Sequence, residues 1–462
     1  MTSKGETLSY LASWSEMPLG GFDGSPQATI STLSYVRTQA SVERPVIFVF
    51  NGGPGASSIT LNYGLFGPES RVIEGVKPFV EPSDTRQDGT VLPTKFVPNR
   101  DTLLDVADLV MIDPVGTGFS RELVPGGGQY YWSISGDIES FQKVIRKWLS
   151  DHGRTGSPIY IAGESYGGYR AGYLASALAD LDIRGLILLS PGIDLNGLSG
   201  GDLTLATALP TMAVAAVYHG RVPARSRSFE QIHREAQSFV RDEYVPALHQ
   251  GSELPAAERA RLAKRMSALI GLPADKIVAA NLRVDTQTFL ENLVPGNVIG
   301  QLDNRAMGPL PENRDGARFA EAEDPSFGLQ GGMVRYSKPV SDHLREMGVK
   351  SDTDYVAVTL DVNFRWDWRS RSPSWFENQG LNAASAYTNF MARRPKARLL
   401  VTTGYFDLAV PIDAPRHTLA HANVPFDRVT FKTYESGHTT SDDPKARLDL
   451  IRDIRAFVAK SD

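Results

Sequence analysis

Six short apolar runs punctuate the chain, and each leads into a stretch of glycine, proline and hydroxyl residues. Pro45–Phe50 (PVIFVF) enters NGGPGASS, Ala107–Ile112 (ADLVMI) enters DPVGTGFS, and Ile159–Ala162 (IYIA) enters GESYGG. Leu186–Leu189 (LILL) precedes SPGID, Arg398–Thr402 (RLLVT) precedes TGYFDLAVP, and Arg428–Tyr434 (RVTFKTY) precedes ESGHTT. Runs of this length, rich in β-branched and aliphatic residues and separated by helical patterns, read as buried parallel strands. Ligand-handling loops of such a sheet lie at the carboxyl ends of its strands, where the glycine-rich stretches fall.

The pattern changes after about residue 194 and returns near 397. Ser226–Leu248 and Ala256–Ile270 show helical periodicity with Glu and Arg on the polar face. Residues 305–375 are rich in Arg, Asp, Pro and Gly. An interruption of about 180 residues is too long for a loop. The expected organisation is an α/β-hydrolase core with a mostly parallel sheet flanked by helices, formed by 1–196 and 376–462, and a mainly helical cap formed by 197–375. Such a cap walls the pocket and selects substrate, while triad geometry is expected to be independent of it.

Gly163-Glu164-Ser165-Tyr166-Gly167 is a G-x-S-x-G placed between a strand and the helical AGYLASALADL, the context of a nucleophile elbow. A serine in such a turn can also be a plain N-cap. The flanking glycines favour the elbow, because a sharp turn leaves no room for side chains beside the serine. A neutral hydroxyl needs an imidazole base, and the imidazole needs a carboxylate to fix its tautomer. In this fold the order is Ser, acid, His. Of eight histidines, His152 precedes the serine, and His219, His233, His249 and His343 lie in the insertion on polar patterns. His417 and His421 share a helical spacing but lack the acidic companion of an H-E-x-x-H zinc site. His438 follows the last strand directly, with Gly437 before it, and is the candidate base. Asp407 follows the RLLVT strand, and 438 − 407 = 31 residues leaves room for one helix and one strand. Asp413 competes for the acid's place but follows Pro411 and reads as the start of a helix.

Asn51-Gly52-Gly53-Pro54-Gly55 is the candidate oxyanion loop, since glycines let backbone N–H groups approach a substrate oxygen. The partner amide is that of Tyr166, the residue after the nucleophile. The loop has neither the GKS/T of a P-loop nor a G-x-G-x-x-G, which sets a phosphate site aside.

The remaining composition narrows the classes. With 48 Lys+Arg against 53 Asp+Glu the net charge is −5, and no basic excess points to nucleic acid. Cysteine is absent, so neither disulfides nor a thiolate nucleophile enter the picture. No stretch of about 18 apolar residues suggests a membrane span. The opening MTSKGETLSYLASWSEMPLGG lacks the apolar core of a signal peptide, which points to a cytoplasmic enzyme; a processed form would read the same. No metal or organic cofactor is expected, and the oligomeric state is open.

NGGPGASS, DPVGTGFS, GESYGG, the GYFDLAVP block and SGHTTSDDP resemble the serine carboxypeptidase family, particularly its bacterial members, in order and spacing. The resemblance spans roughly 40–195 and 360–460; Asn281–Met307 and Trp366–Trp368 (WDW) are also similar to family landmarks. It implies a peptide substrate, oxyanion amides at Gly53 and Tyr166, and a clamp of Asn51, Gly52 and Glu164 for the peptide's C-terminal carboxylate. It implies further that Glu164 is a protonated acid held so by a second glutamate, with an acidic pH optimum. This chain departs from the eukaryotic members there: the second glutamate's place falls near Leu65, their tryptophan is Val49, and their cysteine is Ala56. An esterase or small-molecule amidase, or an acyltransferase, would use the same triad. A non-catalytic binding protein fits poorly, since all three triad positions are filled.

Overall fold

The computed structural model describes the 462 residues except 1, 4–5, 22–23, 40, 77–78, 81, 311–322, 370–380 and 460–462. Its centre is an eight-stranded sheet of β1 (Tyr10–Gly20), β2 (Pro26–Arg37), β3 (Val46–Phe50), β4 (Asp108–Asp113), β5 (Ile159–Glu164), β6 (Ile183–Leu189), β7 (Arg398–Gly404) and β8 (Val429–Tyr434). The order is β8-β7-β6-β5-β3-β4-β2-β1. All pairings among β3 to β8 are parallel, whereas β2 runs antiparallel to both β4 and β1. The six strands expected from apolar runs are therefore the parallel body of the sheet. Every residue of β3, β4 and β5 is buried, as strands covered on both faces require.

The hairpin β1–β2 carries no such signal. β2 lies inside the sheet yet buries Thr29, Ser31, Thr32 and Ser34, because hydroxyls take the place of aliphatic side chains there. Ser31 is satisfied by Ser120, whose Oγ accepts its N–H at 2.8 Å and lies 2.9 Å from its Oγ. Buried hydroxyls with partners cost little, so a polar-looking run can still be an interior strand.

Helices cover both faces: α1 (Ile134–Asp151) and α2 (Tyr166–Ala177) belong to the core, α3 (Asp202–Tyr218), α4 (Phe229–Phe239) and α5 (Ala256–Ile270) to the insertion, and α6 (Ala384–Arg393), α7 (Asp413–His421) and α8 (Pro444–Ala459) to the returning core. One sheet face packs on α1, α2 and α6, and the other on α8. The insertion has an apolar core of its own, built on α3 with α4 and α5 around it. Its last part behaves differently. The antiparallel pair Val334–Ser337 and Tyr355–Thr359 bridges Ala56 and Gly118, in the loops after β3 and β4, through Val358 and Val356. That stretch rests on the sheet's functional end.

Candidate active site

Ser165 stands between β5 and α2 with φ 59° and ψ −124°, a conformation an L-residue holds only under constraint. The constraint is local. A Cβ on Gly163 would lie 2.2 Å from the Gly167 carbonyl oxygen, and one on Gly52 would lie 2.5 Å from the Tyr166 nitrogen and 2.9 Å from Ser165 Cβ. The Ser165 N–H donates to the Leu189 carbonyl at 3.0 Å, tying the elbow to β6. The glycine loop and the elbow thus touch backbone to backbone.

Asp407 follows β7 and is wholly buried; His438 follows β8 and is 7% exposed. Asp407 Oδ2 and His438 Nδ1 are 2.8 Å apart, so Nδ1 carries the proton and Nε2 is left as the basic nitrogen. Asp407 Oδ1 accepts the N–H groups of Ala409 and Val410, both at 2.9 Å. Ser165 and His438 line one cleft of about 260 Å³ with Asn51, Gly53, Glu164 and Asn363. Asp413 instead begins α7, accepts from Gln237 of α4 at 2.7 Å and lies 3.4 Å from His233 Nε2 of the same helix, an insertion-to-core contact. Among the described residues, neither the Gly53 nor the Tyr166 N–H is taken by a protein acceptor, so both remain for a substrate oxygen.

Of the three residues expected to hold the carboxylate, two reach the cleft. Asn51 and Glu164 line the cleft. Asn51 Oδ1 accepts the Gly52 N–H at 2.6 Å and its Nδ2 donates to Thr60 Oγ1 at 2.8 Å, so the amide shapes its own loop with one of its two N–H groups. The Gly52 amide is accordingly engaged within the loop.

Two further residues hold the site, and only weak sequence signals mark them. Asp113, in the DPVGTGFS motif, accepts from Ser58 N at 2.8 Å and Ser58 Oγ at 2.7 Å with one oxygen, and from Tyr355 Oη at 2.7 Å with the other. Burial pushes its carboxyl upward while these hydrogen bonds oppose the shift. Arg170, one turn beyond the nucleophile, is fully buried. Its Nη1 donates to the Asn51 carbonyl at 2.7 Å, and Nε and Nη2 grip Asp137 of α1 at 2.7 and 3.1 Å. The guanidinium also lies over the Phe141 and Phe50 rings, 4.3 and 5.1 Å from their centroids. It fastens the oxyanion loop to the elbow helix.

Arg170→Met should therefore destabilise the protein by about 3–5 kcal/mol in urea unfolding, because Asp137 is left buried and uncompensated. Adding Asp137→Leu should recover most of that loss. A double variant no more stable than Arg170→Met would show that the pair is not the relevant unit.

Four more histidines are placed by their neighbours. The rings of His417 and His421 stack at 3.9 Å on α7, burial lowers the pKa of His417, and the described residues hold no group of three or more His, Cys, Asp or Glu arranged for a metal. His343 Nε2 meets Glu69 at 2.8 Å and His152 stacks on Trp148. Among the described residues no helix is long and apolar enough to cross a membrane.

The sheet order, the strained serine after β5 and the Asp–His pair after β7 and β8 define an α/β-hydrolase fold. The chain belongs to the serine carboxypeptidase family, whose model matches residues 32–435. Serine carboxypeptidase-like 12 of Arabidopsis thaliana is 29% identical over 161 residues, 34% of this chain and 32% of that protein. The retinoid-inducible serine carboxypeptidase of Homo sapiens is 30% identical over 148 residues, 31% of this chain and 27% of that protein. The chain thus spans about a third of the length of the relatives it matches. Among solved structures, a prohormone-processing carboxypeptidase from Saccharomyces cerevisiae superposes over 97% of this chain and 90% of its own, with TM-score 0.56 and 14% identity. At that identity the likeness concerns the fold.

Proposed function

We propose that the protein is a serine-type carboxypeptidase that cleaves the last peptide bond of its substrate through an acyl-enzyme. The observation that carries the reading is the 2.8 Å Asp407–His438 contact in the cleft that also holds the strained Ser165. Ser165 Oγ attacks the scissile carbonyl as His438 Nε2 takes its proton. The Gly53 and Tyr166 amides receive the oxyanion, and the imidazolium returns its proton to the leaving amine. Water, activated by the same imidazole, then releases the acyl group. Asp407 holds the ring and stabilises its cation.

Asn51, through its second Nδ2 N–H, and Glu164 form the end of the cleft that receives the C-terminal carboxylate, while Gly52, its N–H taken by Asn51 Oδ1, shapes the loop beside them. Blocked dipeptides with free and with amidated C-termini test this: the free acid should be cleaved at least tenfold faster in kcat/KM. Equal rates, with a p-nitrophenyl ester far faster than both, would favour an esterase.

Glu164 supplies a pH signature. A protonated Glu164 can donate to the substrate carboxylate, whereas an ionised one repels it, so peptide binding should weaken as pH rises. Glu164→Gln keeps a neutral donor and should flatten that loss for free-acid peptides while leaving ester hydrolysis indifferent. Below, protonation of His438 limits both. Identical profiles for peptides and esters from about pH 4 to 9, unaltered by Glu164→Gln, would remove the carboxylate role.

A further inference from the structure

The loop that carries Asp407 is embedded in the insertion. Phe406 and Leu408, on either side of the acid, are buried and belong to the insertion's apolar core rather than to that of the sheet. The Phe406 ring meets Tyr218 of α3 at 5.2 Å and Phe229 of α4 at 5.1 Å, both edge-on.

A stretch of the insertion's own backbone completes the hold. Asn304 N–H donates to the Phe406 carbonyl at 2.8 Å, Leu408 N–H donates to the Gln301 carbonyl at 3.0 Å, and His438 N–H donates to the Leu302 carbonyl at 2.7 Å. One strap of five residues, Gln301–Arg305, therefore brackets the acid on both sides and takes the base's own amide. The strap is itself anchored. Arg305 grips Asp303 at 2.7 and 3.0 Å, reaches the Glu435 carbonyl at 3.2 Å and Asp443 at 3.3 Å, and lies 4.0 Å over the Phe79 ring. From the end of α3, His219 Nε2 donates to the Asn304 carbonyl at 2.6 Å. The strap passes so close to the residue before the base that a Cβ on Gly437 would lie 2.6 Å from Asp303 Cβ.

We propose that the strap Gln301–Arg305 positions the proton-transfer pair, with Arg305 and His219 as positioning residues, so that the seat of the insertion sets turnover as well as substrate choice. The proposal rests on the triad reading above. The physical reason is that Asp407 and His438 lie on two separate loops. Their 2.8 Å contact holds only while both loops keep their register, and a displacement of about 1 Å at a reacting group costs roughly 100-fold in rate. Lifting the insertion from the body would break all three strap bonds.

The test uses the full chain and two probes, a p-nitrophenyl ester and a blocked dipeptide, with rates taken per folded molecule from near-ultraviolet circular dichroism. His219→Ala should lower kcat about tenfold for both probes with KM little changed, and His219→Gln, which restores a donor to the Asn304 carbonyl, should recover most of it. Arg305→Met should lower kcat about 100-fold, and Arg305→Lys less. Arg261→Ala, on the exposed face of α5 where it pairs with Glu243 and Glu258, should change neither constant. If Arg305→Met fails to fold, the His219 pair decides. Unchanged kcat in the folded His219→Ala variant, or a loss confined to KM, would overturn the strap while leaving the triad intact. A wild-type chain that turns over neither probe, or a Ser165→Ala chain as fast as wild type, would overturn the triad reading and the strap with it.

Discussion

Ser165→Ala should reduce hydrolysis of every substrate by about 10⁶-fold and leave the unfolding midpoint unchanged. The rate falls because, in the proposed mechanism, Ser165 takes the acyl chain, while His438 serves as base and the Gly53 and Tyr166 amides only stabilise charge. What remains, roughly 10³-fold over water, should come from those amides and from substrate positioning. Stability should hold because the constraint at φ 59° belongs to the backbone, held by Gly52 and Gly163, and alanine has the same Cβ as serine. A fluorophosphonate should label wild type once and the alanine variant not at all. Near-normal turnover in the variant would sink the assignment of the nucleophile and, with it, every role built on Ser165.

How far the sequence discloses this site follows from what each part is made of. The parallel strands are legible because burial on both faces demands continuous apolar runs, and their functional loops because tight turns demand glycine. The hairpin β1–β2 is silent for the opposite reason: inside the sheet Ser31 is satisfied by Ser120 and Ser34 by the Ser13 carbonyl, and no period of two distinguishes them from a loop. Asp407 and Asp413 both look eligible as acids, since spacing alone cannot tell which carboxylate faces the ring; only the 2.8 Å contact does. Arg170 reads as an ordinary helix charge until its partner Asp137, 33 residues earlier, is placed beside it. The strap is the least legible part. Its bonds are made by backbone groups of Gln301, Leu302 and Asn304, which almost any residue but proline would supply, so no residue type announces them. For the same reason the expectation that the insertion leaves triad geometry alone could not be weighed before Phe406 and Leu408 were seen inside the insertion's core.

Asp407→Asn should cost about 10⁴-fold in kcat, and the structure gives the cause atom by atom. The Ala409 and Val410 amides both donate to Oδ1, so the oxygen of an asparagine must stay on their side. Its NH₂ is then turned towards His438 Nδ1, which must accept rather than donate. The ring proton moves to Nε2, and a ring protonated there cannot take the proton of Ser165. The fold should be nearly untouched, because the side chains have the same shape. Asp413→Asn should change kcat little, since that carboxylate serves Gln237 and His233 on α4, whereas the base is paired with Asp407. The double variant Ser165→Ala/Asp407→Asn should be no slower than Ser165→Ala alone, for a base without its nucleophile has nothing left to lose. Steady-state rates of the four chains on one ester decide it. A harmless Asp407→Asn beside a crippling Asp413→Asn would place the acid on α7, and fully multiplicative losses in the double variant would mean that Ser165 and Asp407 do not act as one unit.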